Sequence, residues 1–580
     1  MSVMYKHICD LLKHIEYDSI SNSTMNPIIT SLAFDSRKVK LGSLFFALPG
    51  THIHGNAFIA KAIEKGASAV IYQDQLPKEA LVAASQFETI NRCLGTANMG
   101  TSLTPDTDLK TMFGPVIFIK VKDSRFAMAP VADAFFDNPS SKLGVIGVTG
   151  TEGKSTTVSL IWQLLQASGI KTGFISTVQY SLGDRAIDNP EHQTTPESPI
   201  IQEKLFHMVQ NGCEYAVIES SSHGLSRKTN RCGNIIYDAV AVMNVTHEHI
   251  EFHGTHTQYA NDKANLFRYL DLYSHEKVIN GNKTIIPSFG VVNEEDRIAR
   301  SFSQETSKPV YAFTTFGKAG GKSEIPAKSG LPCLEGHAII PEKEGNSFEL
   351  RGEEFLPQPA KFFIPLPGAF NVYNMMAALI IVSKILHKPI SDFTDSALKL
   401  IPVKGRMTEI TRGQPFEVLV DYAHTPSSFQ TIFPPIRDRA KGKIISLFGS
   451  GGNRDIQKRP EQGAIAAAYS EIIILTDEDP RDEDSVELLE MIAQGCRNPY
   501  NYSIPPGTEL RNDASPSSLF IIPDRPAAIR KAFSLAGKDD IVLLLGKAHE
   551  NSILYSDYSM PYDEITEAES ALSEIGYKEG

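Results

Sequence analysis

The chain has 580 residues, of which 42% are hydrophobic and 21% charged, and its formal net charge is −12 at pH 7. That length exceeds what one hydrophobic core supports, so we expect several domains. The acidic balance argues against nucleic acid as a partner, because phosphate backbones need a basic face. The six cysteines contain no C-x-x-C pair, the N-terminus shows no signal-peptide core, and apolar runs such as 375–382 are too short to span a bilayer. We therefore expect a cytoplasmic globular protein that has reduced thiols and no membrane contact.

The first predicted domain covers residues 1–141 and is expected to be a small α/β unit. It carries the segment 35–50, D-S-R-K-V-K-L-G-S-L-F-F-A-L-P-G, and a helical pattern at 60–66. Residues 80–114 contain Gly, Thr, Asn and Pro with little periodicity, which predicts a long loop or insertion.

The second predicted domain, residues 142–402, opens with a strand, a glycine turn and a helix. The apolar run 144–148 predicts a buried strand, and apolar residues at helical spacing follow over 158–165. The turn between them contains two glycines, a lysine and a hydroxyl residue: Gly150, Gly153, Lys154 and Ser155. Free backbone N–H groups and a helix N-terminus can face a phosphate there, lysine adds positive charge, and serine can ligate Mg²⁺. Val148 stands where the strict phosphate-loop pattern has its first glycine, but nucleotide binding remains the prediction.

Acidic and histidine residues follow the next two strand-like runs of this domain. Glu219 ends the run 214–218, and an acidic residue beside a phosphate loop is the usual second anchor for Mg²⁺. His247, His249 and His253 follow the run 238–243 and leave three readings open: a zinc site, solvated loop histidines, or Mg²⁺–phosphate chemistry. The last is favoured, since nothing marks the histidines as converging on one point.

Two further features complete this domain. Lys263 lies inside a helical pattern over 259–267, where the alternative to a metal-binding role is a solvated helix lysine. The stretch 317–336 is rich in Gly, Lys and Pro, which predicts a surface loop.

The third predicted domain, residues 403–580, alternates strand-like and helical patterns. Four apolar runs are each followed directly by Gly, Asp, Arg or His: 417–420, 443–448, 471–475 and 541–545. In a doubly wound parallel sheet those strand ends share one edge, where ligands bind. We therefore predict an α/β protein with three domains: a smaller N-terminal domain, a central P-loop ATPase-like domain, and a C-terminal Rossmann-like doubly wound sheet.

These motifs resemble those of the Mur ligase family, ATP-dependent enzymes that join amino acids to peptidoglycan precursors. The resemblance covers nearly the whole chain in the family's order. It includes G-T-x-G-K-[ST] at 150–155, T-T-P at 194–196, S-S-H at 221–223 and Y-x-x-x-K-x-x-L-F at 259–267. The segment 35–50 resembles the members that add the third residue of the peptide stem.

The resemblance implies a ligase that adds a diamino acid to UDP-N-acetylmuramoyl-L-alanyl-D-glutamate through an acyl phosphate, with ATP and Mg²⁺ as cofactors. The implied catalytic residues are Lys154, Glu219, His249 and Lys263. The implied Mg²⁺ ligands are Ser155, Glu219, His249 and a carbamylated Lys263. The implied nucleotide contacts are Gly150, Thr151, Glu152, Gly153, Lys154, Ser155, Thr156, Asn293, Asn371, Arg406 and Asp421. The implied substrate contacts are Ser36, Thr194, Thr195, Ser221, Thr229, Arg231, Arg459, Glu478, Asp479, Arg481, Gly546 and Glu550.

Two departures from the family pattern bear on mechanism and specificity. Glu152 stands where the phosphate loop usually has Asn, and E-D-P-R at 478–481 replaces the D-N-P-R of relatives that take meso-diaminopimelate. The carboxylate of Asp479 would repel the second carboxylate of diaminopimelate and attract a bare ammonium, so ornithine or lysine is favoured over diaminopimelate. Arg481 is retained and can still bind a carboxylate.

Other functions stay open at this stage. A folylpolyglutamate synthetase-like ligase would share the phosphate loop and the lysine frame, but not the segment 35–50. A Mur-like amide-forming subunit that acts on a lipid-linked precursor is a second enzyme alternative. A non-catalytic nucleotide-binding regulator would be indicated by loss of Lys154, Glu219 or Lys263, and all three are present. We expect a monomer.

Overall fold

Three large sheets follow one another along the chain, each with helices packed on it. The computed structural model describes residues 4–50, 53–95, 115–190, 193–246, 250–315, 329–502 and 518–578. The sheets fall within the three ranges expected from the sequence, which confirms the α/β class. The boundaries at 141/142 and 402/403 stay predictions.

The N-terminal sheet has five strands in the order Ser19–Ile20, Ile117–Lys120, Ala67–Tyr72, Ser43–Phe46 and Ser31–Ala33. Neighbours run parallel except for the first pair. The α-helices of this part are Ile8–Leu12, Ile59–Glu64, Lys78–Gly95 and Ser124–Phe135. A small antiparallel pair joins Lys6–His7 to Ile28–Ile29.

The loop predicted for residues 80–114 is wrong over 80–95, which belong to the helix Lys78–Gly95. Ala80, Ala83 and Ala84 are buried against the helix Ile59–Glu64, so close packing of small side chains supports a helix that weak periodicity concealed. Residues 96–114 lie outside the described residues.

The central sheet has eleven strands, parallel in its middle and antiparallel towards both edges. Their order is Ile187–Asp188, Gln179–Ser181, Thr172–Ile175, Tyr215–Glu219, Gly144–Thr149, Ala239–Val242, Phe289–Asn293, Val310–Thr315, Cys333–Pro341, Asn346–Arg351 and Ala360–Ile364. The strand that contains Cys333 begins inside the stretch 317–336, so the predicted surface loop is wrong for 333–336. Residues 316–328 lie outside the described ranges.

Helices cover both faces of the central sheet. They are Lys154–Ala167, Ser198–Gln210, Ser222–Leu225, Ile250–His253, His256–Arg268, Arg297–Ser301, Phe370–Leu386 and Thr394–Ala397. A separate hairpin joins Glu276–Ile279 to Asn282–Ile285. Within the described residues no single helix has the length and apolarity to cross a membrane. One pair of helices bent by 112°, Phe370–Leu386 with Ile390–Ala397, meets that test by length and composition. The longer helix of this pair is buried in the core of the central part.

The C-terminal sheet has six strands and a hydrophobic core on each face, as a doubly wound sheet requires. The strand order is Thr408–Glu409, Glu417–Asp421, Ile541–Leu545, Ile444–Phe448, Ile472–Leu475 and Ser518–Ile521, with only the first pair antiparallel. Its helices are Pro426–Arg439, Lys458–Tyr469, Ser485–Arg497, Arg525–Leu535 and Glu564–Glu574, and a hairpin joins Ser552–Leu554 to Ser559–Pro561. The four strands predicted from the sequence are adjacent and parallel, so their carboxyl ends share one edge.

Candidate active site

The loop 150–153 connects the strand Gly144–Thr149 to the helix Lys154–Ala167. Gly153 has φ +84°, in the left-handed region that favours glycine, and a Cβ there would lie 2.4 Å from the side-chain oxygen of Asn374. No described side chain caps the first turn of this helix. The loop therefore forms a narrow cradle with the helix N-terminus directed into it, which fits a phosphate group.

Ser155 and Glu219 form the oxygen-rich side of this cradle. The hydroxyl of Ser155 donates to Glu219 Oε2 at 2.9 Å, and the backbone and hydroxyl of Thr177 also donate to the Glu219 carboxylate, at 2.8 and 3.0 Å. Glu219 is only 1% exposed. Hydroxyl and carboxylate oxygens are the donors that Mg²⁺ prefers, so this pair fits the expected cation. Lys154 Nζ donates to the carbonyl of Thr151 at 2.6 Å, which holds its charge over the loop.

Lys263 reaches the same loop from the helix His256–Arg268. Its Nζ donates to the carbonyl oxygen of Gly150 at 2.6 Å, and one turn earlier the hydroxyl of Tyr259 lies 2.9 Å from Thr151 Oγ1. Because Lys263 is 2% exposed, the alternative of a solvated helix lysine is wrong. Four predicted residues thus meet at the phosphate loop: Lys154, Ser155, Glu219 and Lys263. His249 lies outside the described residues.

His253 is not a solvated loop histidine, because it is 4% exposed and hydrogen-bonded at both ring nitrogens. Nδ1 lies 2.7 Å from Asp262 Oδ2, and Nε2 lies 3.0 Å from Ser222 Oγ. This contact fixes the short helix Ser222–Leu225 against the helix that carries Lys263. Among the described residues no group of three or more His, Cys, Asp or Glu side chains is placed to hold a metal, and His247 lies outside them.

Thr195 connects the predicted dipeptide contacts to the cation site. Its hydroxyl donates to the carbonyl of Glu219 at 2.9 Å and accepts from the backbone N–H of Ser221 at 2.9 Å. Its own carbonyl accepts from Arg231 Nη1 at 3.0 Å. Three predicted substrate contacts, Thr195, Ser221 and Arg231, therefore surround the end of the strand that carries Glu219.

Three other predicted substrate contacts, Thr229, Thr194 and Ser36, form no hydrogen bond within the described residues to the end of the strand that carries Glu219. The hydroxyl of Thr229 donates to the carbonyls of His223 and Ser226, so it supports its own loop. Thr194 is partly exposed beside Thr195. Ser36 is buried in the N-terminal part, three residues beyond the strand Ser31–Ala33. Substrate contact by Thr194, Thr229 and Ser36 stays a prediction.

Two asparagines predicted as nucleotide contacts form hydrogen bonds near the phosphate loop. Asn293 donates to the carbonyl of Met243 at 3.0 Å. Asn371 accepts from Asn374 at 3.0 Å, and Asn374 is the residue that faces Gly153. Thr156 lies in the first turn of the phosphate-loop helix and is buried.

Arg406 and Asp421 bring the C-terminal part to the same loop. Arg406 Nη2 lies 3.5 Å from Ser155 Oγ, and its guanidinium lies 4.9 Å from the centre of the Tyr422 ring. Asp421 accepts backbone N–H groups of Met407 and Ala423, both at 2.8 Å. Burial raises the pKa of Asp421 above its usual range, and the nearby charge of Arg406 acts in the opposite direction.

Glu152 also spans the gap between the central and C-terminal parts. Its Oε1 accepts from the hydroxyl of Thr425 at 3.3 Å, and Thr425 is the N-cap of the helix Pro426–Arg439. A carboxylate at a helix N-terminus is favourable, because the N–H groups there carry partial positive charge. The residue that departs from the family's loop pattern therefore contacts the C-terminal part.

Glu478 lies at the carboxyl edge of the C-terminal sheet with a buried carboxylate. It is 9% exposed, and among the described residues its Oε2 has no hydrogen-bond partner. Gly546 has φ +98°, and a Cβ there would lie 2.8 Å from Glu478 Oε2, so glycine leaves room for this side chain. Burial raises the pKa of Glu478, while Lys458 and Lys547 act in the opposite direction.

Asp479 and Glu550 share one buried cation, Lys547, which sequence reasoning missed. Lys547 is fully buried, and its Nζ donates to Asp479 Oδ1 at 2.8 Å and to a carboxylate oxygen of Glu550. Asp479 Oδ1 also accepts from the backbone N–H of Leu554 at 2.9 Å. The sequence argument treated Asp479 as an uncompensated charge, and that premise is wrong because Lys547 is its ion-pair partner.

Arg459 and Arg481 hold the loops of this edge in place. Arg459 is fully buried, pairs with both carboxylate oxygens of Glu483 at 2.7 and 2.8 Å, and donates to the carbonyl of Gly451. Arg481 has φ +55° and donates from Nη1 to the carbonyl of Gly452 at 3.4 Å. These contacts support the 449–455 loop, and direct contact of either arginine with a substrate stays a prediction.

Comparison with known proteins agrees with this geometry. Three family models match the chain: "Mur ligase family, catalytic domain" over 28–101, "Mur ligase middle domain" over 148–382, and "Mur ligase, glutamate ligase domain" over 405–548. A Treponema denticola protein named UDP-N-acetylmuramyl-tripeptide synthetase is 47% identical, over 98% of each chain. A Geobacillus kaustophilus protein named UDP-N-acetylmuramoyl-L-alanyl-D-glutamate--2,6-diaminopimelate ligase is 33% identical, over 95% of this chain and 96% of its own.

Solved structures show the same fold. The structure of a UDP-N-acetylmuramoyl-L-alanyl-D-glutamate--2,6-diaminopimelate ligase superposes with a TM-score of 0.55 at 23% identity, covering 98% of this chain and 99% of that one. The family models cover well over half of the sequence, and the three-sheet architecture and the phosphate loop agree with them. The chain belongs to the Mur ligase family.

Proposed function

We propose that this chain is an ATP-dependent ligase that adds the third amino acid of the peptide stem to UDP-N-acetylmuramoyl-L-alanyl-D-glutamate in peptidoglycan precursor synthesis. The observation that carries the proposal is the position of Thr195, which hydrogen-bonds to Glu219, Ser221 and Arg231 together. The proximity of these residues to Glu219 supports the proposal that the dipeptide binds beside the cation. A substrate carboxylate can receive a phosphoryl group only if it binds close to the cation that holds the phosphates of ATP.

The chemistry follows from the weakness of a carboxylate as an electrophile. Bound ATP and Mg²⁺ would supply the phosphoryl group and neutralise the charge between the two anionic reactants. Lys154 and the N-terminus of its helix would hold the phosphates, and Arg231 would orient the dipeptide carboxylate. Activation as an acyl phosphate provides a leaving group, and the amine of the incoming amino acid then attacks the carbonyl carbon.

The proposed Mg²⁺ ligands are Ser155, Glu219, His249 and Lys263, with Lys263 carbamylated. Its Nζ, buried at 2.6 Å from Gly150 O, is positioned at the mouth of the phosphate loop, and a carbamate would replace a positive ammonium by two oxygen donors. The buried setting supports the modification, because a carbamate there would be shielded from solvent.

We propose that the amino acid is a monocarboxylic diamino acid, ornithine or lysine, in preference to meso-diaminopimelate. Two carboxylates and one ammonium leave the group of Asp479, Glu550 and Lys547 with a net charge of −1, and Glu478 adds a further acidic group beside them. That surplus favours a side-chain ammonium over a second carboxylate. Two observations favour meso-diaminopimelate instead: Arg481 could bind its second carboxylate, and one relative is named as a diaminopimelate ligase.

Closure of the C-terminal part over the phosphate loop is expected to complete the site. The contacts of Glu152 with Thr425 and of Arg406 with Ser155 would transmit that closure to the nucleotide. A cytoplasmic location and a monomeric state remain predictions.

The test is product identification by mass spectrometry. Purified protein is incubated with UDP-N-acetylmuramoyl-L-alanyl-D-glutamate, ATP and Mg²⁺, and with ornithine, lysine and meso-diaminopimelate separately and in equal mixture. The proposal predicts one ADP for each amide formed, with ornithine or lysine preferred. Absence of product with all three amino acids would contradict the ligase proposal, and exclusive use of diaminopimelate would contradict the specificity.

A further inference from the structure

Two helices from different parts of the chain lie side by side and run in the same direction. Ser124–Phe135 packs against Ser198–Gln210, which follows the T-T-P loop of the central part. Near their N-termini Arg125 contacts Glu197, and at the far end the rings of Phe136 and Phe206 lie 5.9 Å apart. The N-terminal part of the chain is therefore in contact with the loop that carries Thr195.

Glu197 receives two guanidinium groups at this contact. Its Oε1 lies 3.4 Å from Arg125 Nη1 and 3.0 Å from Arg231 Nη2, and its side chain is only 8% exposed. Among the described residues, Glu197 Oε2 and Arg231 Nε are buried and have no hydrogen-bond partner. One carboxylate thus orients two arginines, and the group keeps a net positive charge beside two helix N-termini.

Each arginine also donates to backbone of a predicted substrate motif. Arg125 Nη2 donates to the carbonyl of Pro49 at 3.0 Å, at the end of the segment 35–50. Arg231 Nη1 donates to the carbonyl of Thr195 at 3.0 Å. Beside them, the amide of Asn230 donates to the carbonyl of Phe126 at 3.2 Å, which is a second link between the helix that carries Arg125 and the loop that carries Arg231. Two hydrogen bonds of Arg125 and the ion pair between Glu197 and Arg231 therefore connect Pro49 to the loop of Arg231.

We propose that Arg125 acts through Glu197 as a positioning residue, which holds Arg231 and the loop 194–197 in the orientation that receives the anionic dipeptide end of the UDP-linked substrate. This inference rests on the proposed function for the identity of that substrate. Guanidinium groups hold fixed, planar hydrogen-bond geometry, so a lysine at position 125 would keep the charge but not both contacts. Arg125 itself is assigned no contact with the substrate.

The kinetic test compares Arg125→Ala and Arg125→Lys with the exposed control Arg185→Ala. We expect Arg125→Ala to raise the KM for UDP-N-acetylmuramoyl-L-alanyl-D-glutamate at least 10-fold. The kcat and the KM values for ATP and the amino acid should change less than 3-fold. Arg125→Lys should lie between the parent and Arg125→Ala, and Arg185→Ala should match the parent. A KM for the UDP-linked substrate within 2-fold of the parent, or an equal loss in every kinetic constant, would overturn the inference.

A second measurement needs no substrate and separates this inference from the proposed function. Hydrogen–deuterium exchange of the ligand-free protein is compared between the parent, Arg125→Ala and Glu197→Gln, with the exposed Glu203→Gln as control. Faster exchange in peptides covering 194–197 and 225–231 in the first two variants alone would support the bridge. Unchanged exchange would overturn it. If the parent forms no ligation product, the proposed function fails, and the exchange result still decides whether Arg125 holds the loop of Arg231.

Discussion

Lys547 Nζ lies 2.8 Å from Asp479 Oδ1, with the lysine fully buried and the aspartate 8% exposed. Burial alone would lower the pKa of Lys547, but the charges of Glu550 and Asp479 outweigh it and raise that pKa. The lysine is therefore charged in the folded protein, and Asp479 contributes to specificity as one member of an ion-pair group.

Replacing Asp479 by Asn should reduce stability and change amino-acid preference together. The buried ammonium of Lys547 would keep only Glu550 as its charged partner, and losing one member of a buried pair costs about 3–5 kcal/mol. The net charge of the group would rise from −1 to zero, so meso-diaminopimelate should gain relative to ornithine and lysine. Thermal unfolding and a three-way competition assay measure the two effects. Asp482→Asn, at an exposed neighbour, is the control, and an unchanged preference in Asp479→Asn would exclude charge as the discriminator.

Glu478→Gln should weaken amino-acid binding at least 10-fold in KM while the KM for ATP stays within 2-fold, because a charged acceptor becomes a neutral one. The parent enzyme should also show a pH effect that the variant lacks. Since burial raises the pKa of Glu478, this carboxylate takes up its proton at a higher pH than an ordinary glutamate as pH falls. The KM for the amino acid should therefore increase on acidification in the parent and stay flat in the variant. Parallel pH profiles for the two proteins would contradict the role.

Lys263→Ala should reduce ligation at least 1000-fold without unfolding the protein if a carbamate at this position holds Mg²⁺. Small carboxylates such as formate should restore part of the rate, because they can supply oxygen donors in the vacated space. The parent should be faster with added bicarbonate than without it, because bicarbonate supplies the CO₂ from which a lysine carbamate forms. Normal rate and normal Mg²⁺ dependence in the variant would rule out a metal-binding role for Lys263.

Asp133→Asn should stabilise the protein at alkaline pH. Burial raises the pKa of Asp133 from 3.8 to about 7, and no described group satisfies its buried Oδ1. Well below pH 3.8 both the folded and the unfolded state hold the proton, so the residue has no effect on the pH dependence there. Stability is then lost as pH rises towards 7, by up to about 4 kcal/mol in all. Unfolding curves at pH 4 and pH 8 should differ less in Asp133→Asn than in the parent, with Asp557→Asn as the exposed control; equal pH dependence would contradict the argument.

The parts of the site that the sequence predicted are those with a local signal. Glu219 and the strand ends of the C-terminal sheet were found because an apolar run stops at a polar residue, and Lys154 and Ser155 because a glycine turn precedes a helix. Lys547 could not be assigned to Asp479, because the two residues are 68 positions apart in sequence and follow strands that the strand Ile444–Phe448 separates in the sheet. Arg125 could not be assigned to Glu197 either, because the two residues meet only where their helices pack together.

The errors have the same origin. The helix Lys78–Gly95 is stabilised by alanines that pack on another helix, which weak periodicity does not reveal. The less favoured alternative, a solvated loop histidine, fails for His253 for a similar reason: Asp262 and Ser222 enclose its ring, and that enclosure depends on how three segments pack.

Transfer of isotopic oxygen tests the central claim most directly. UDP-N-acetylmuramoyl-L-alanyl-D-glutamate labelled with ¹⁸O in the reacting carboxylate is incubated with ATP, Mg²⁺ and the preferred amino acid, and the released phosphate is analysed by mass spectrometry. When an acyl phosphate forms and the amine displaces it, one carboxylate oxygen leaves with the phosphorus, so the account predicts one ¹⁸O in phosphate for each amide formed. Ligation with no label in phosphate, or ATP hydrolysis without amide formation, would contradict it.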